Sequence, residues 1–409
     1  MREIEFQAAD WAEVALGDIC TFRGGSGFKE EYQGSDFGEY PFIKVSDMTL
    51  PGNGKYVTTS NNWVSSAILK KLRANLQPEG ATVFAKVGAA LKLNRRRLLS
   101  RPTAIDNNMM AAIPDESRLD SEFLYYFMLV QDLGRFSQES AVPSVNQGHL
   151  SSIEIGLPPL PEQRKIAAIL RTWDLGLEKL EALRAANLRR RIWMRSHLFT
   201  GRARLPGFSG EWREVALGEV LTEHGLQGTG AEEVFSVSVH KGLVNQIEHL
   251  GRSFAAAETG HYNRVLPGDI VYTKSPTGDF PLGIIKQSKI SQEVIVSPLY
   301  GVFTPATREL GVILDALFES PLAVRNYLHP LVQKGAKNTI AITNRRFLEG
   351  RLRLPMDPAE QAVIAAVVEV SQAELNAIVS EIDLLIRQKR GLMQKLLTGE
   401  WRVQVEEAA

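Results

Sequence analysis

The fold is decided by residues 162–201, which read EQRKIAAILRTWDLGLEKLEALRAANLRRRIWMRSHLFTG, and by residues 360–399, which read EQAVIAAVVEVSQAELNAIVSEIDLLIRQKRGLMQKLLTG. The two stretches share one offset of 198 residues, so they align without a gap. A third match, between residues 11–19 and residues 212–220, precedes them in the same order. A repeat of this length indicates two copies of a whole domain followed by a helix, rather than a solenoid of small units.

Each stretch predicts one long helix. Apolar residues recur at alternating steps of four and three, which is the a/d spacing of a coiled coil. Pro161 and Pro358 stand just inside the predicted starts, and Gly201 and Gly399 follow the ends, so each helix is about 38 residues long. The predicted seam comprises Ile166, Leu170, Trp173, Leu177, Leu180, Met194 and Leu198 in the first helix and Ile364, Val368, Leu375, Ile378, Ile382, Leu385, Leu392 and Leu396 in the second. Polar members of the same seam are Arg184, Asn187, Arg191, Ser371 and Lys389.

An isolated apolar seam would stay in water, so each helix needs a partner, and the simplest partner is its own repeat. A whole domain connects the two helices, and for this reason either orientation is sterically allowed. Antiparallel packing would place the two globular domains at opposite ends of the pair. We predict a mixed α/β (α+β) protein in which two globular domains are separated by two long antiparallel helices that form an intramolecular coiled coil.

Both globular halves have the pattern of mixed α/β domains. Strand-like runs lie at 41–45, 81–86 and 109–113 in the first half and at 234–239, 269–274 and 299–303 in the second, and short apolar helices are expected near 121–133 and 310–328. The predicted boundaries are 1–157 for the N-terminal domain, 158–201 for the first spacer helix, 202–355 for the C-terminal domain, 356–401 for the second spacer helix and 402–409 for a tail. The halves share layout but little sequence, as expected for two domains with different ligands.

Composition excludes several classes of protein. The single cysteine, Cys20, excludes an internal disulfide and a cysteine-based zinc site. The seven histidines are scattered without metal-ligand spacing, so we predict no metal site. The longest apolar runs are shorter than the roughly 20 residues of a membrane span, and the acidic N-terminus lacks an apolar signal segment. We expect a cytoplasmic protein without a membrane partner.

The basic residues are clustered although the net charge is zero. Residues 86–101, 184–204 and 334–346 are rich in lysine and arginine and contain no acid. Such a distribution favours a nucleic-acid contact, and a solvated basic face is the competing interpretation. The candidate DNA-binding residues are Lys86, Lys92, Arg95, Arg96 and Arg97 in the first domain and Lys274, Lys334, Lys337, Asn338, Arg345 and Arg346 in the second.

Motifs of catalysis are missing from the sequence. The one Pro-Pro pair, Pro158-Pro159, lacks the polar and aromatic neighbours of an adenine-methylation loop. The sequence has neither Gly-x-Gly-x-x-Gly nor Gly-Lys-Ser/Thr, and no lysine has an acid two residues before it, as the metal-dependent nuclease motif requires. Cys20 is interpreted as a core residue because no partner base is identifiable. We therefore predict a non-catalytic chain without catalytic residues.

Several strings in this order resemble one known family. They are Leu157-Pro158-Pro159-Leu160-Pro161-Glu162-Gln163 at the opening of the first helix, Leu198-Phe199-Thr200-Gly201 at its end, Leu205-Pro206-Gly207-Phe208-Ser209-Gly210-Glu211-Trp212 after it, and Leu396-Leu397-Thr398-Gly399 at the close. Over essentially the whole chain, their order and period are similar to those of the specificity subunits of type I restriction–modification systems. One departure is Met356-Asp357, where the first copy has Pro-Leu, which implies a difference in docking at that end.

The resemblance implies two target-recognition domains, each reading one half of an asymmetric, interrupted site in double-stranded DNA. It also implies that the two helices form the spacer and dock two methylation (modification) subunits, which carry S-adenosylmethionine and methylate adenine. Restriction subunits with ATP-driven, magnesium-dependent translocation would join that core, so no cofactor is expected in this chain.

Two other classes remain open on the residues alone. A coiled-coil scaffold with two protein-binding domains and no DNA contact would explain the helices and the neutral charge, but it leaves the three basic runs without a role. A fused methyltransferase or nuclease is disfavoured by the missing motifs.

Overall fold

The computed structural model describes residues 7–136, 143–247, 259–334 and 340–405. The chain forms two compact units, one of residues Met1–Leu180 and Glu381–Ala409 and the other of residues Glu181–Ser380. Each unit is mixed α/β and contains one globular domain with part of each long helix. The boundaries predicted from sequence divide the chain at the helix ends, whereas packing groups each helix half with the domain that it contacts.

The elements of the first unit's domain precede the first long helix. Its strands are β1 Ala12–Ala15, β2 Cys20–Gly24, β3 Tyr40–Ile43, β4 Tyr56–Val57, β5 Trp63–Val64, β6 Leu76–Gln77, β7 Thr82–Ala85, β8 Arg96–Leu99, β9 Thr103–Ile105, β10 Met109–Pro114 and β11 Glu154–Leu157. Its helices are α1 Ser66–Leu72, α2 Ala89–Lys92, α3 Ser121–Val130 and α4 Gln147–Ser151, and the first long helix, α5, is Leu160–His197.

The second unit's domain lies between the long helices. Its strands are β12 Arg213–Ala216, β13 Leu221–Thr222, β14 Phe235–Ser238, β15 Gly242–Asn245, β16 Asn263–Val265, β17 Ile270–Tyr272, β18 Ile285–Gln287, β19 Val294–Val296, β20 Gly301–Pro305, β21 Gln333–Lys334, β22 Ile340–Ala341 and β23 Arg351–Leu354. Its helices are α6 Arg308–Phe318, α7 Pro321–Leu328 and α8 Asn344–Glu349, and the second long helix, α9, is Pro358–Leu397.

One sheet is duplicated between the units. In the first unit the strand order is β2-β10-β7-β8-β4, and in the second it is β13-β20-β17-β18. A two-stranded antiparallel sheet also recurs, as β1 with β11 and as β12 with β23. The remaining strands differ: the first unit adds a four-stranded sheet, β5-β3-β9-β6, and the second adds the pairs β14-β15, β16-β19 and β21-β22. The repeated scaffold therefore supports different additions in the two domains.

The two long helices are close to the predicted length, at 38 residues for α5 and 40 for α9. In the first unit Ile166, near the start of α5, shares a core with Leu396, near the end of α9. In the second unit Met194, near the end of α5, shares a core with Ile364, near the start of α9. The helices are therefore antiparallel in both units, and each of the fifteen predicted apolar seam residues is buried or half-buried.

The apolar segment near residues 310–328 forms two helices, not one. Helix α6 ends at Phe318, and α7 begins at Pro321 after Ser320, whose side chain accepts a hydrogen bond from the Ala323 backbone N–H. Proline is tolerated at the first position of a helix but not in its interior, because it has no N–H to donate to the preceding turn. The single predicted helix was wrong for this reason.

Candidate nucleic-acid interface

A Trp–Glu–Arg contact fixes the first domain to the start of α5. The carboxylate of Glu162, which is 4% exposed, accepts hydrogen bonds from Trp11 Nε1 at 3.3 Å and from Arg402 Nε and Nη2 at 2.8 and 2.9 Å. Gln163 Nε2 donates to the Pro158 carbonyl, and its Oε1 accepts from the Asp120 backbone N–H, which precedes α3. The Glu-Gln pair that opens the helix therefore holds the helix against the domain.

The second unit repeats this contact at the start of α9. Glu360 accepts hydrogen bonds from Trp212 Nε1 at 3.1 Å and from Arg204 Nε and Nη2 at 2.7 and 2.8 Å. Gln361 Nε2 donates to the Pro355 carbonyl, as Gln163 does to Pro158. In each unit the arginine follows the end of one long helix and the glutamate lies near the start of the other. The motifs recognised by repetition thus perform the same structural task twice.

Replacing Glu162 by alanine tests this contact. We expect the free energy of unfolding of the first unit to fall by about 2–4 kcal/mol, because the change leaves the buried Trp11 N–H without its acceptor and leaves Asp10 as the remaining acidic partner of Arg402. Urea unfolding followed by tryptophan fluorescence measures the effect. Glu154→Ala, at an exposed position of β11, is the matched control and should change the value by no more than about 0.5 kcal/mol. Equal losses in the two variants would contradict the assignment.

Arg96 does not belong to a DNA-contacting surface. It is 1% exposed, its Nη1 donates to the Arg95 carbonyl at 2.9 Å, and its guanidinium lies 5.3 Å from the centroid of the Phe84 ring. Burial lowers the pKa of Arg96 to about 9, against the opposing charge of Asp132. The prediction that Arg96 contacts DNA was wrong because successive residues of β8 point to opposite faces, and Arg96 points into the core with Leu98.

The other candidates of the first domain are more accessible. Lys92, at the end of α2, and Arg95 are exposed. Arg97 is half-buried, and its Nε donates to the Asn53 carbonyl at 2.8 Å. Lys86 is half-buried and follows β7, and a Cβ built at Gly24 would lie 3.3 Å from its Nζ. Lys92 and Arg95 are therefore the best placed of the first domain's predicted residues to reach a phosphate.

In the second domain the described candidates lie at two places. Lys274 follows β17 with a left-handed backbone, at φ 58°, and is half-buried, and burial lowers its pKa against the charge of Glu223. Arg345 and Arg346 are exposed on α8 and pair with Glu349 of the same helix at 3.2 and 2.8 Å. Lys337 and Asn338 lie outside the described residues, and for Lys334 only the backbone is described.

The basic run of residues 184–204 is largely paired with acids from elsewhere in the chain. Arg191 donates to both carboxylate oxygens of Glu319 at 2.9 and 3.0 Å, and Arg195 donates to the same carboxylate at 3.1 Å. Arg190 pairs with Glu374, and Arg204 pairs with Glu360. These arginines hold the second unit together, so a run without acids in the sequence is not an unopposed charge in the fold.

Cys20 is placed as a core residue rather than a nucleophile. Cys20 is buried in the first core, where desolvation raises the pKa of its thiol to about 12, so the thiol is protonated at neutral pH. Among the residues for which the structure gives a placement, none form a group of three or more His, Cys, Asp or Glu side chains able to hold a metal ion.

The two domains share one scaffold, and each is held to a long helix by the same Trp–Glu–Arg contact. Residues 8–187 match the family model of the type I restriction modification DNA specificity domain. The resemblance to the specificity subunits of type I restriction–modification systems is confirmed.

Two solved structures share this fold. One is the S subunit of a type I restriction-modification system from M. genitalium, with 15% identity, a TM-score of 0.59, and coverage of 96% of this chain and 97% of that chain. The other belongs to work on complex assembly and conformational transition of the type I R-M system, with 16% identity, a TM-score of 0.55, and coverage of 97% and 100%. Identities at this level show the fold, and the predicted fold class is confirmed.

Proposed function

We propose that the chain reads a bipartite DNA site, with each domain contacting one half, and that the long helices set the unread spacer and dock methylation subunits. The observation that carries this proposal is the duplicated sheet, with the order β2-β10-β7-β8 in one domain and β13-β20-β17-β18 in the other. Because the other elements of the two domains differ, the same scaffold can present two different reading surfaces. This arrangement suits an asymmetric site with two unlike halves.

The proposed mechanism separates affinity from specificity. Exposed cations such as Lys92 and Arg95 would contact phosphates and supply a salt-dependent affinity. Polar side chains that reach base edges in the major groove would supply discrimination, at about 1–3 kcal/mol for each bidentate pair. Methyl transfer and cleavage would belong to the partner subunits, so the chain itself acts without a catalytic residue.

The long helices have apolar surface available for a partner. In the second unit the exposed apolar residues on these helices are Leu183, Leu188, Ile192, Trp193, Val363, Val370 and Val379, and in the first they are Leu175, Leu384 and Ile386. By length and composition alone α9 could span a membrane, and most of its apolar stretch is not buried. The sequence shows no continuous apolar run there because polar and charged residues such as Glu369, Ser371 and Glu374 interrupt it. Exposed apolar surface of this extent supports a docking role.

Exchange of one domain tests the proposal directly. Replacing residues 202–355 by the corresponding segment of a related subunit should change one half of the methylated site and leave the other half and the spacer unchanged. Exchange of residues 1–157 is the matched control and should change only the other half. The sites are measured by methylation mapping in cells that also express the methylation partner. A change in both halves after either exchange, or in neither, would contradict the proposal, and a protein-binding scaffold would give no change.

The two neighbouring arginines of the first domain give a second test. Arg95→Gln should weaken DNA binding by the complex with its methylation partner and reduce the slope of log K against log salt by about 1, since one phosphate contact is lost. Arg96→Met should leave the slope unchanged, because its guanidinium is enclosed by the domain. Fluorescence anisotropy at several salt concentrations measures both slopes. A lower slope for Arg96→Met alone would contradict the placement of both residues.

A further inference from the structure

The duplicated helices create a pairing problem for this chain. The same repeat supplies the Glu–Arg contacts of both units, through Glu162 with Arg402 and Glu360 with Arg204. The second half of α5 and the second half of α9 are therefore alternative partners for the start of either long helix. If α5 paired with α5 of another copy, the product would be a dimer rather than a single folded chain. These shared contacts do not discriminate between the two outcomes.

The second unit contains ion pairs that the repeat does not reproduce. Arg190 of α5 pairs with Glu374 of α9. At the offset of 198 residues, the equivalent positions in the first unit are Gln388 and Gly176, neither of which carries a charge. A Cβ at Gly176 would lie 3.3 Å from Leu385 Cδ2, so an apolar side chain packs over the place where the second unit has its carboxylate. The second unit therefore has this ion pair, and the equivalent positions of the first unit, Gln388 and Gly176, cannot form it.

A second asymmetric contact lies one turn farther along α5. Arg195 donates to Glu319 at 3.1 Å, and Arg191 shares the same carboxylate. The repeat equivalent of Arg195 is Met393, which is 8% exposed and belongs to the apolar core of the first unit with Trp11 and Ile166. An arginine in the place of Met393 would bury a guanidinium in an apolar core without its carboxylate, which is strongly unfavourable.

We propose that Arg190 and Arg195, with Glu374 and Glu319, form a pairing key that makes the second half of α5 select α9 of its own chain over α5 of a second copy. Pairing between two α5 helices would place Arg190 beside Gly176 and Arg195 in the Met393 position. Pairing between two α9 helices would leave Glu374 opposite Gln388, and Glu319 would have one cation, Lys389, in place of Arg191 and Arg195. A pair of α5 helices and a pair of α9 helices both lose contacts that the α5–α9 pair makes. Charged residues set partner choice in paired helices in this way.

The first experiment removes the key without changing the apolar seam. Arg190→Gln with Arg195→Met gives α5 the residues that α9 has at the equivalent positions. The matched control, Arg189→Gln with Arg202→Met, removes the same number of arginines from exposed positions in or just after the same helix. We expect size-exclusion chromatography with light scattering, at about 10–100 µM full-length chain, to show at least a tenfold larger dimer fraction for the first variant than for wild type. The control should match wild type.

The second experiment distinguishes a change in helix pairing from a loss of folding. Arg190→Glu should increase the dimer fraction, and adding Glu374→Arg should restore the monomer, because the ion pair is re-formed with reversed charges only when α5 contacts α9. Circular dichroism establishes that each protein is folded. A dimer fraction that stays at the wild-type level in Arg190→Gln/Arg195→Met, or an equal increase in the control, would overturn the proposal. Failure of Glu374→Arg to rescue Arg190→Glu would overturn it as well.

Discussion

Leu170→Asp is expected to unfold the first unit at 37 °C. Leu170 is fully buried, in the core that joins the start of α5 and the end of α9 to the first domain. The substitution loses about 1.5–3 kcal/mol of apolar burial and places a carboxylate in an apolar core, for a total above about 4–5 kcal/mol. Because a typical domain is stable by only about 5–15 kcal/mol, we expect thermal unfolding of this unit at or below 37 °C.

Leu175→Asp is the matched control for this result. Leu175 lies on the same helix but is 50% exposed, so the carboxylate stays in water. This variant should keep the wild-type thermal unfolding curve and lose co-purification with the methylation partner if the exposed apolar surface docks it. A Leu170→Asp protein with the unfolding curve of the wild type would contradict the packing described here. Leu177 and Leu375 are half-buried members of the predicted seam. Substitution of either by aspartate should lower the free energy of unfolding by less than Leu170→Asp does.

Insertion of one heptad into each long helix is expected to lengthen the spacer of the recognised site by about three base pairs. Seven residues add about 10 Å of helix, and DNA rises about 3.4 Å per base pair. The insertions belong after Leu180 and after Ser380, where one compact unit ends and the other begins, so contacts within each unit are kept. Binding should weaken, since three base pairs also rotate the second half-site by about a third of a turn.

The controls for this prediction are single insertions. A heptad in only one helix shifts the seam on one side of the insertion, so we expect lower stability and no methylation at any spacer. Methylation mapping of the double insertion gives the new spacer, if one is used. A double insertion that still methylates sites with the wild-type spacer would show that the helices do not set the distance.

The long helices and the duplication were predictable because their signals are local and periodic. The seam from Ile166 to Leu396 follows a heptad pattern that needs no knowledge of the partner. The repeated Glu-Gln pair marked the start of each long helix, although the sequence did not show that Trp11 and Arg402 contact Glu162 from either end of the chain. The split between α6 and α7 also has a local signal, because Ser320-Pro321 is a typical helix start.

The charged surface was harder to predict because charge neutralisation depends on residues far apart in the sequence. The arginines of residues 184–204 lack acidic neighbours in the chain, but Glu319, Glu360 and Glu374 reach them in the fold. The burial of Arg96 had a local signal in the alternation of Arg96 with Leu98, which the run of three arginines obscured. Which exposed cations contact DNA depends on the shape of the domain, and neither composition nor spacing carries that information.

The central claim, that two separate domains read two separate half-sites, is tested most directly by long-read methylation mapping. The DNA comes from cells that express the chain with its methylation partner and from a matched strain that lacks the chain. We predict one methylated motif, dependent on the chain, with two unlike specific halves separated by a fixed number of unread base pairs. A continuous motif without an unread interval, or two halves joined by intervals of varying length, would contradict the account.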